Sequence, residues 1–210
     1  MKKITIVGCG LGSAEYMTKA GVDAIINADV LIGAAPYLEI VKNKNAKKIE
    51  TGADVQKAIK SVTDNIQNGS VALLVSGDPG IFSMARLIIK EFGRDICRVI
   101  PGISSVQAAF AMVCLNWDDA LILSAHAANP DVDIAQAKKH NKIAILGGRD
   151  ESSKWAHRFA VALEGERSVF ICENLGRDNE RFTEISLDDL LTINVVSRTV
   201  ILLINKELIK

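Results

Sequence analysis

The stretch Val71-Ala72-Leu73-Leu74-Val75-Ser76-Gly77-Asp78-Pro79-Gly80 decides how this chain folds. Its apolar opening is too short for a helix and lacks the alternation of a strand with one wet face. Such a run reads as a strand buried on both faces, the mark of a parallel sheet covered by helices. The Ser-Gly-Asp-Pro-Gly turn stops the strand. Ile81 to Phe92 then presents Met84, Leu87, Ile88 and Phe92 at helical spacing, ending at Gly93.

Outward from this unit the same grammar repeats. Ile4 to Gly8 is a mostly apolar strand running into Gly8-Cys9-Gly10-Leu11-Gly12. Val55, Ile59, Val62 and Ile66 mark a helix between Ala53 and Asn68, closed by Gly69. Cys97 to Ile100 is a short strand, followed by Pro101-Gly102-Ile103-Ser104-Ser105 and a helix over Ser104 to Cys114. This alternation is that of an α/β sheet with helices on both faces.

A break falls between Asn116 and Asp119, which gives two domains, 1–116 and 117–210. Beyond it, Ala120 to Leu123 reads as a strand, and Ala125 to His140 is polar and irregular. Lys142 to Leu146 is a strand. Trp155, Phe159 and Leu163 share one face of a helix that ends at Gly165. Val169 to Cys172 and Thr199 to Ile204 are strands, separated by a span that opens with the charged stretch Asn174 to Glu184. Ser186, with Asp188 and Asp189 behind it, reads as a helix cap and an acidic first turn.

Charge and composition exclude several function classes. Basic and acidic residues are equal at 25 each in 210 residues, and 49% of the chain is hydrophobic. Divided after Asp118, the first part carries 13 basic and 11 acidic residues, the second 12 and 14. Neither has the basic excess of a nucleic-acid binder. The longest apolar runs are too short to span a bilayer. Lys2-Lys3 leads straight into Ile4, which leaves no room for a secretory leader, so a cytoplasmic enzyme is expected. Cys9, Cys97, Cys114 and Cys172 are scattered, with no CxxC and no Cys/His cluster, so they are expected to be buried reduced thiols; no metal site is expected.

Three glycine-rich turns carry the chemistry. Each follows a strand of one sheet, and in open α/β sheets ligands bind outside the carboxyl ends of the strands. Gly8 to Gly12 gives close backbone approach, but Ser13 stands where a dinucleotide fingerprint needs its third glycine, and Asp29 precedes its strand instead of ending it. A nicotinamide site is therefore disfavoured. Gly77 would let a ligand lie on the backbone and Asp78 would accept hydrogen bonds. Ser104 and Ser105 would either cap the next helix or face a polar ligand. Each turn alone could be purely structural.

The order of these motifs resembles the tetrapyrrole methylase family. The likeness is carried by Gly8-x-Gly10-x-Gly12, Ala28-Asp29-Val30 with Gly33, Val75 to Gly80, and Pro101 to Ser105. Trp117-Asp118-Asp119, Ser124-Ala125-His126 and Glu173-Asn174-Leu175-Gly176 with Glu180-Arg181 are most similar to its precorrin-7 C5-methyltransferase branch. Leu11 replaces the usual proline of the first loop. Ala127-Ala128-Asn129 follows His126 where the branch continues with glycine and arginine.

This resemblance implies two α/β domains, the second with a mixed sheet, and S-adenosylmethionine in a cleft between them. It implicates Leu11, Gly77, Asp78, Ile81, Ser104, Ser105, Leu146 and Leu175 as cofactor contacts, and implies a homodimer. The implied reaction is C-methylation at C5 of precorrin-7, or its cobalt form, in cobalamin biosynthesis. Such a substrate carries many carboxylates, for which Arg149, Arg177 and Arg181 are candidates, with His126 beside them. No residue identifies itself as a catalytic base. A sister methylase acting on another corrin carbon or on uroporphyrinogen III, and a non-catalytic ligand-binding subunit of the same fold, remain the rival readings.

Overall fold

The computed structural model describes residues 4–43 and 45–209, so Lys2 and Lys3 lie outside it. The chain forms two compact units, one ending at Ser104 and the other beginning at Ser105.

The first unit is built on five strands: β1 (Ile4–Gly8), β2 (Val30–Gly33), β3 (Lys47–Glu50), β4 (Val71–Val75) and β5 (Cys97–Ile100). Their order is β3-β2-β4-β1-β5, and every pairing is parallel. All five residues of β4 are buried, as expected of an inner strand with helices on both faces. Helix α1 (Lys19–Ile26) starts where the Thr18 hydroxyl accepts from the Gly21 N–H at 3.1 Å. After the single turn α2 (Ala35–Leu38), α3 (Val55–Asn65) is capped by Asp54, which accepts from the Lys57 N–H at 3.0 Å. Helix α4 (Ala85–Phe92) ends at Gly93.

Two elements depart from the sequence reading. Residues Ile81 to Met84, expected in α4, stay outside it, and Phe82 sits at φ 44 with 61% of its surface exposed. Strand β3 reads Lys-Lys-Ile-Glu, with Ile49 its one apolar residue and no periodicity to mark it; its backbone pairs with the outer edge of β2.

The second unit opens with α5 (Ser105–Met112), which packs against a strand of its own sheet. The compact division therefore falls earlier in the chain than the compositional break. The strands are β6 (Leu121–Ser124), β7 (Lys142–Leu146), β8 (Arg167–Glu173), β9 (Arg181–Ile185) and β10 (Thr199–Asn205), in the order β6-β7-β10-β8-β9. Only β6 and β7 pair in parallel, so this sheet is mixed. Helix α6 (Ile134–Ala137) lies in the stretch read as irregular, where Asp133 caps it through the N–H groups of Ala135 and Gln136. Helix α7 (Asp150–Leu163) buries Phe159 and Leu163 against Ile143, Ile171 and Ile201.

Strand β9 is the main correction. Residues 174–184 look like a charged loop in the sequence, yet Arg181 to Ile185 pair antiparallel with β8, Arg181 opposite Glu173. As an edge strand with a largely exposed face, it has no need of apolar alternation. Ser186 does cap a turn: its hydroxyl accepts from the Asp189 N–H and its own N–H donates to Asp189, although the helix that follows is 3-10.

Candidate ligand sites at the two sheet edges

In the first unit, parallel register brings the three glycine-rich turns together. Gly8 lies opposite Val75 and Val7 opposite Ile100, so β1, β4 and β5 end side by side. The first two turns are joined by a bridge, with the Gly77 N–H donating to the Gly10 carbonyl at 2.9 Å and the Gly10 N–H returning to the Gly77 carbonyl at 3.3 Å. Asp78 fastens the third: one carboxylate oxygen accepts from the Gly80 N–H at 2.7 Å, the other from the Gly102 N–H at 3.1 Å. The sequence gives Asp78 as an acceptor; its role as a staple between turns follows from the register alone.

The glycines of this edge do different jobs. A Cβ on Gly102 would lie 2.4 Å from the Gly77 carbonyl oxygen and 2.8 Å from the Gly8 carbonyl, so the turns pack backbone on backbone. Gly77 has φ 61, and a Cβ there would meet only the Ser104 Cα, at 3.7 Å. Its outer face is open and its polar backbone groups are already fixed. That is the surface a flat or folded ligand can lie against. Leu11 and Ser104 are nearly covered, Ile81 is half-buried, and Ser105 opens α5.

The second unit gathers the remaining candidates at one edge of its sheet. Ser124 is level with Leu146 across β6 and β7, while β10 sets Val200 opposite Leu146 and Thr199 opposite Glu173. The carboxyl ends of β6, β7 and β8 therefore share an edge, from which His126, Arg149, Leu175 and Arg177 follow. Arg149 reaches back to this edge: its Nε donates to the Ala125 carbonyl at 2.9 Å and Nη2 to Asn129 Oδ1 at 3.0 Å. The His126 imidazole is held below its ordinary value of 6.5. Partial desolvation of the ring is the larger cause, although solvent still reaches the residue, and the Arg149 charge adds to it. The fold thus favours neutral His126; this contribution is complete above 6.5 and is lost as pH falls through the lowered value.

Arg177 belongs to the tight turn after β8, donating its N–H to the Asn174 carbonyl at 3.1 Å. Arg181 is held otherwise. Its Nε meets Glu173 at 2.9 Å, and Glu173 is 4% exposed, with the Val196 N–H donating to it at 3.5 Å and the Thr199 hydroxyl, which donates to the Val196 carbonyl at 2.7 Å, lying 3.5 Å away. Sequence reasoning missed Glu173 as a site residue. Arg181→Ala is expected to destabilise the protein by about 1–3 kcal/mol, since it strands a buried acceptor. A thermal midpoint equal to wild type would show that the pair contributes nothing.

All four cysteines are free. Burial pushes the thiols of Cys9 and Cys172 up to about 12, opposed at Cys9 by a backbone hydrogen bond at Val75 and reinforced at Cys172 by Glu180. Cys97 is half-buried. Cys114 is exposed, contrary to the expectation of burial, because it follows the end of α5 at φ 53. At pH 8 iodoacetamide should therefore modify Cys114 first and leave Cys9 and Cys172 intact until unfolding. Rapid labelling of Cys9, followed by peptide mass spectrometry, would contradict the packing of the first turn.

No group of three His, Cys, Asp or Glu side chains able to hold a metal occurs among the described residues. Nor, among them, is any helix long and apolar enough to cross a membrane.

Residues 3–191 match the family model of the tetrapyrrole (corrin/porphyrin) methylases. A cobalt-precorrin-7 C(5)-methyltransferase from Salmonella typhimurium is 30% identical over 179 residues, covering 85% of this chain and 88% of that one. Among solved structures, the methyltransferase CobJ superposes with a TM-score of 0.80 at 20% identity, covering 98% of this chain and 95% of that one. Uroporphyrin-III C-methyl transferase from Thermus thermophilus, complexed with S-adenyl homocysteine, does so at 0.74 and 16% identity, covering 96% and 92%. With a parallel first sheet, a mixed second one and this match over most of its length, the chain belongs to the tetrapyrrole methylase family and is an S-adenosylmethionine-dependent methyltransferase.

Proposed function

We propose that this chain methylates C5 of precorrin-7 or cobalt-precorrin-7 in cobalamin biosynthesis, as a cytoplasmic homodimer. The observation that carries the reading is the likeness to a cobalt-precorrin-7 C(5)-methyltransferase over most of both chains. S-adenosylmethionine supplies an electrophilic methyl on a sulfonium whose positive charge is lost on transfer.

The residues present fit such a ligand. The open backbone face of Gly77, between turns already stapled by Asp78, offers a surface that need not reorganise on binding. Leu11, Ile81, Ser104 and Ser105 are the proposed contacts around it. Asp78 spends its carboxylate on Gly80 and Gly102, so it orients the turns. At the edge of the second unit, Leu146 and Leu175 are proposed as apolar contacts. His126, Arg149, Arg177 and Arg181 are proposed to face the carboxylates of the tetrapyrrole. Catalysis then consists of holding an electron-rich ring carbon in line with the methyl and away from water.

A second reading, a sister methylase with another tetrapyrrole substrate, is favoured by Ala127-Ala128 after His126, where the branch carries glycine and arginine. The two are separated by measuring kcat/KM on precorrin-7, cobalt-precorrin-7 and uroporphyrinogen III. The proposal expects one of the first two to be preferred; preference for uroporphyrinogen III makes the chain the sister enzyme.

A further inference from the structure

We propose that Arg149 is the principal carboxylate anchor of the second unit and that Asn129 is its positioning residue. The inference rests on the tetrapyrrole reading above and selects among its candidate arginines.

Arg149 is fixed at both ends. Its main chain is pinned by Ser152, whose hydroxyl accepts from the N–H groups of Gly148 and Arg149 at 3.3 and 3.4 Å and donates to the Arg149 carbonyl at 2.5 Å. Ser152 is fully buried. Gly148 leaves no slack before it: at φ 122, a Cβ there would lie 2.7 Å from the Ser197 carbonyl oxygen. At the other end, the Ala125 carbonyl and Asn129 Oδ1 take the Nε/Nη2 edge of the guanidinium.

Every one of those partners is neutral. No carboxylate among the described residues lies within ion-pair distance of Arg149, whereas Arg181 is paired with Glu173 and Arg158 with Glu151 at 3.0 Å. The guanidinium is therefore oriented and without a direct ion pair, while its charge also reaches Glu151, which is paired with Arg158. Its Nη1/Nη2 end keeps N–H groups for an incoming carboxylate, a geometry lysine cannot reproduce. Its field already reaches His126, where it disfavours the imidazolium. A carboxylate arriving at Arg149 would cancel that field, which makes His126 a built-in reporter.

The test uses the whole protein and two corrins, cobyrinic acid with free side-chain carboxylates and cobinamide with the same groups amidated. Wild type is expected to bind cobyrinic acid more tightly, and the His126 midpoint followed by NMR should rise on binding. Arg149→Ala should lose about tenfold or more of that affinity, and Arg149→Lys should restore little of it. Asn129→Ala should lose severalfold with the charge still present, and Asn129→Ser should recover part of the loss. S-adenosylmethionine affinity should be unchanged in all four variants. If cobyrinic acid binds wild type and Arg149→Ala equally, this inference fails while the tetrapyrrole reading stands. If wild type binds neither corrin and methylates no tetrapyrrole, both fall.

Discussion

A Gly77→Val protein is expected to bind S-adenosylmethionine at least about tenfold more weakly than wild type, a difference of roughly 1.4 kcal/mol. Two effects act together. A β-branched residue is a genuine outlier at φ 61, and holding it there costs about 1–2 kcal/mol. The side chain would also project over the face that meets only the Ser104 Cα at 3.7 Å, so it fits the free protein and obstructs the ligand. Gly77→Asn separates the effects, because asparagine tolerates the left-handed region while still covering the face. Its stability should approach wild type and its affinity should stay low. Titration calorimetry on folded Gly77→Val with wild-type affinity would reduce this turn to a connection between β4 and α4.

Gly102→Ala is expected to have the larger effect on stability, at the upper end of the 1–3 kcal/mol typical of overpacking, about 3 kcal/mol. The added methyl would sit 2.4 Å from the Gly77 carbonyl oxygen and 2.8 Å from the Gly8 carbonyl; both are backbone, Gly77 held by its bridge to Gly10 and Gly8 by its place in β1, while Asp78 fixes Gly102 itself. Nothing there is the far end of a flexible side chain that could swing aside. Gly52→Asn supplies the comparison: asparagine tolerates the left-handed backbone there, at φ 58, and a Cβ at that position meets nothing within 4 Å. Thermal midpoints should fall much further for Gly102→Ala than for Gly52→Asn. Equal midpoints would mean that the three turns are less tightly joined than the backbone distances indicate.

What was legible in the sequence followed burial. Val71 to Val75 and Ile4 to Gly8 reveal themselves because inner parallel strands must be apolar on both faces, and the glycines at or just after their ends mark the turns that gather at one sheet edge. Strands at sheet edges impose no such demand. Lys47 to Glu50 and Arg181 to Ile185 therefore gave no signal, and a charged run concealed the pairing of Arg181 with Glu173. The candidate residues of the first unit were legible as types. The division of labour between an open Gly77, a crowded Gly102 and a bridging Asp78 depends on register between strands distant in sequence. Asn129 was beyond reach for the same reason: it is twenty residues before the arginine it holds, in a polar loop without periodicity.

The central claim, methyl transfer to C5 of a precorrin-7 ring, is tested most directly with S-adenosylmethionine carrying a 13C-labelled methyl group. The purified protein is incubated with it and precorrin-7, or cobalt-precorrin-7, and the product is examined by NMR. The account predicts one labelled methyl per macrocycle, bonded to C5, formed together with S-adenosylhomocysteine. Label at any other ring carbon, or no transfer to either substrate by protein that binds S-adenosylmethionine, would contradict it.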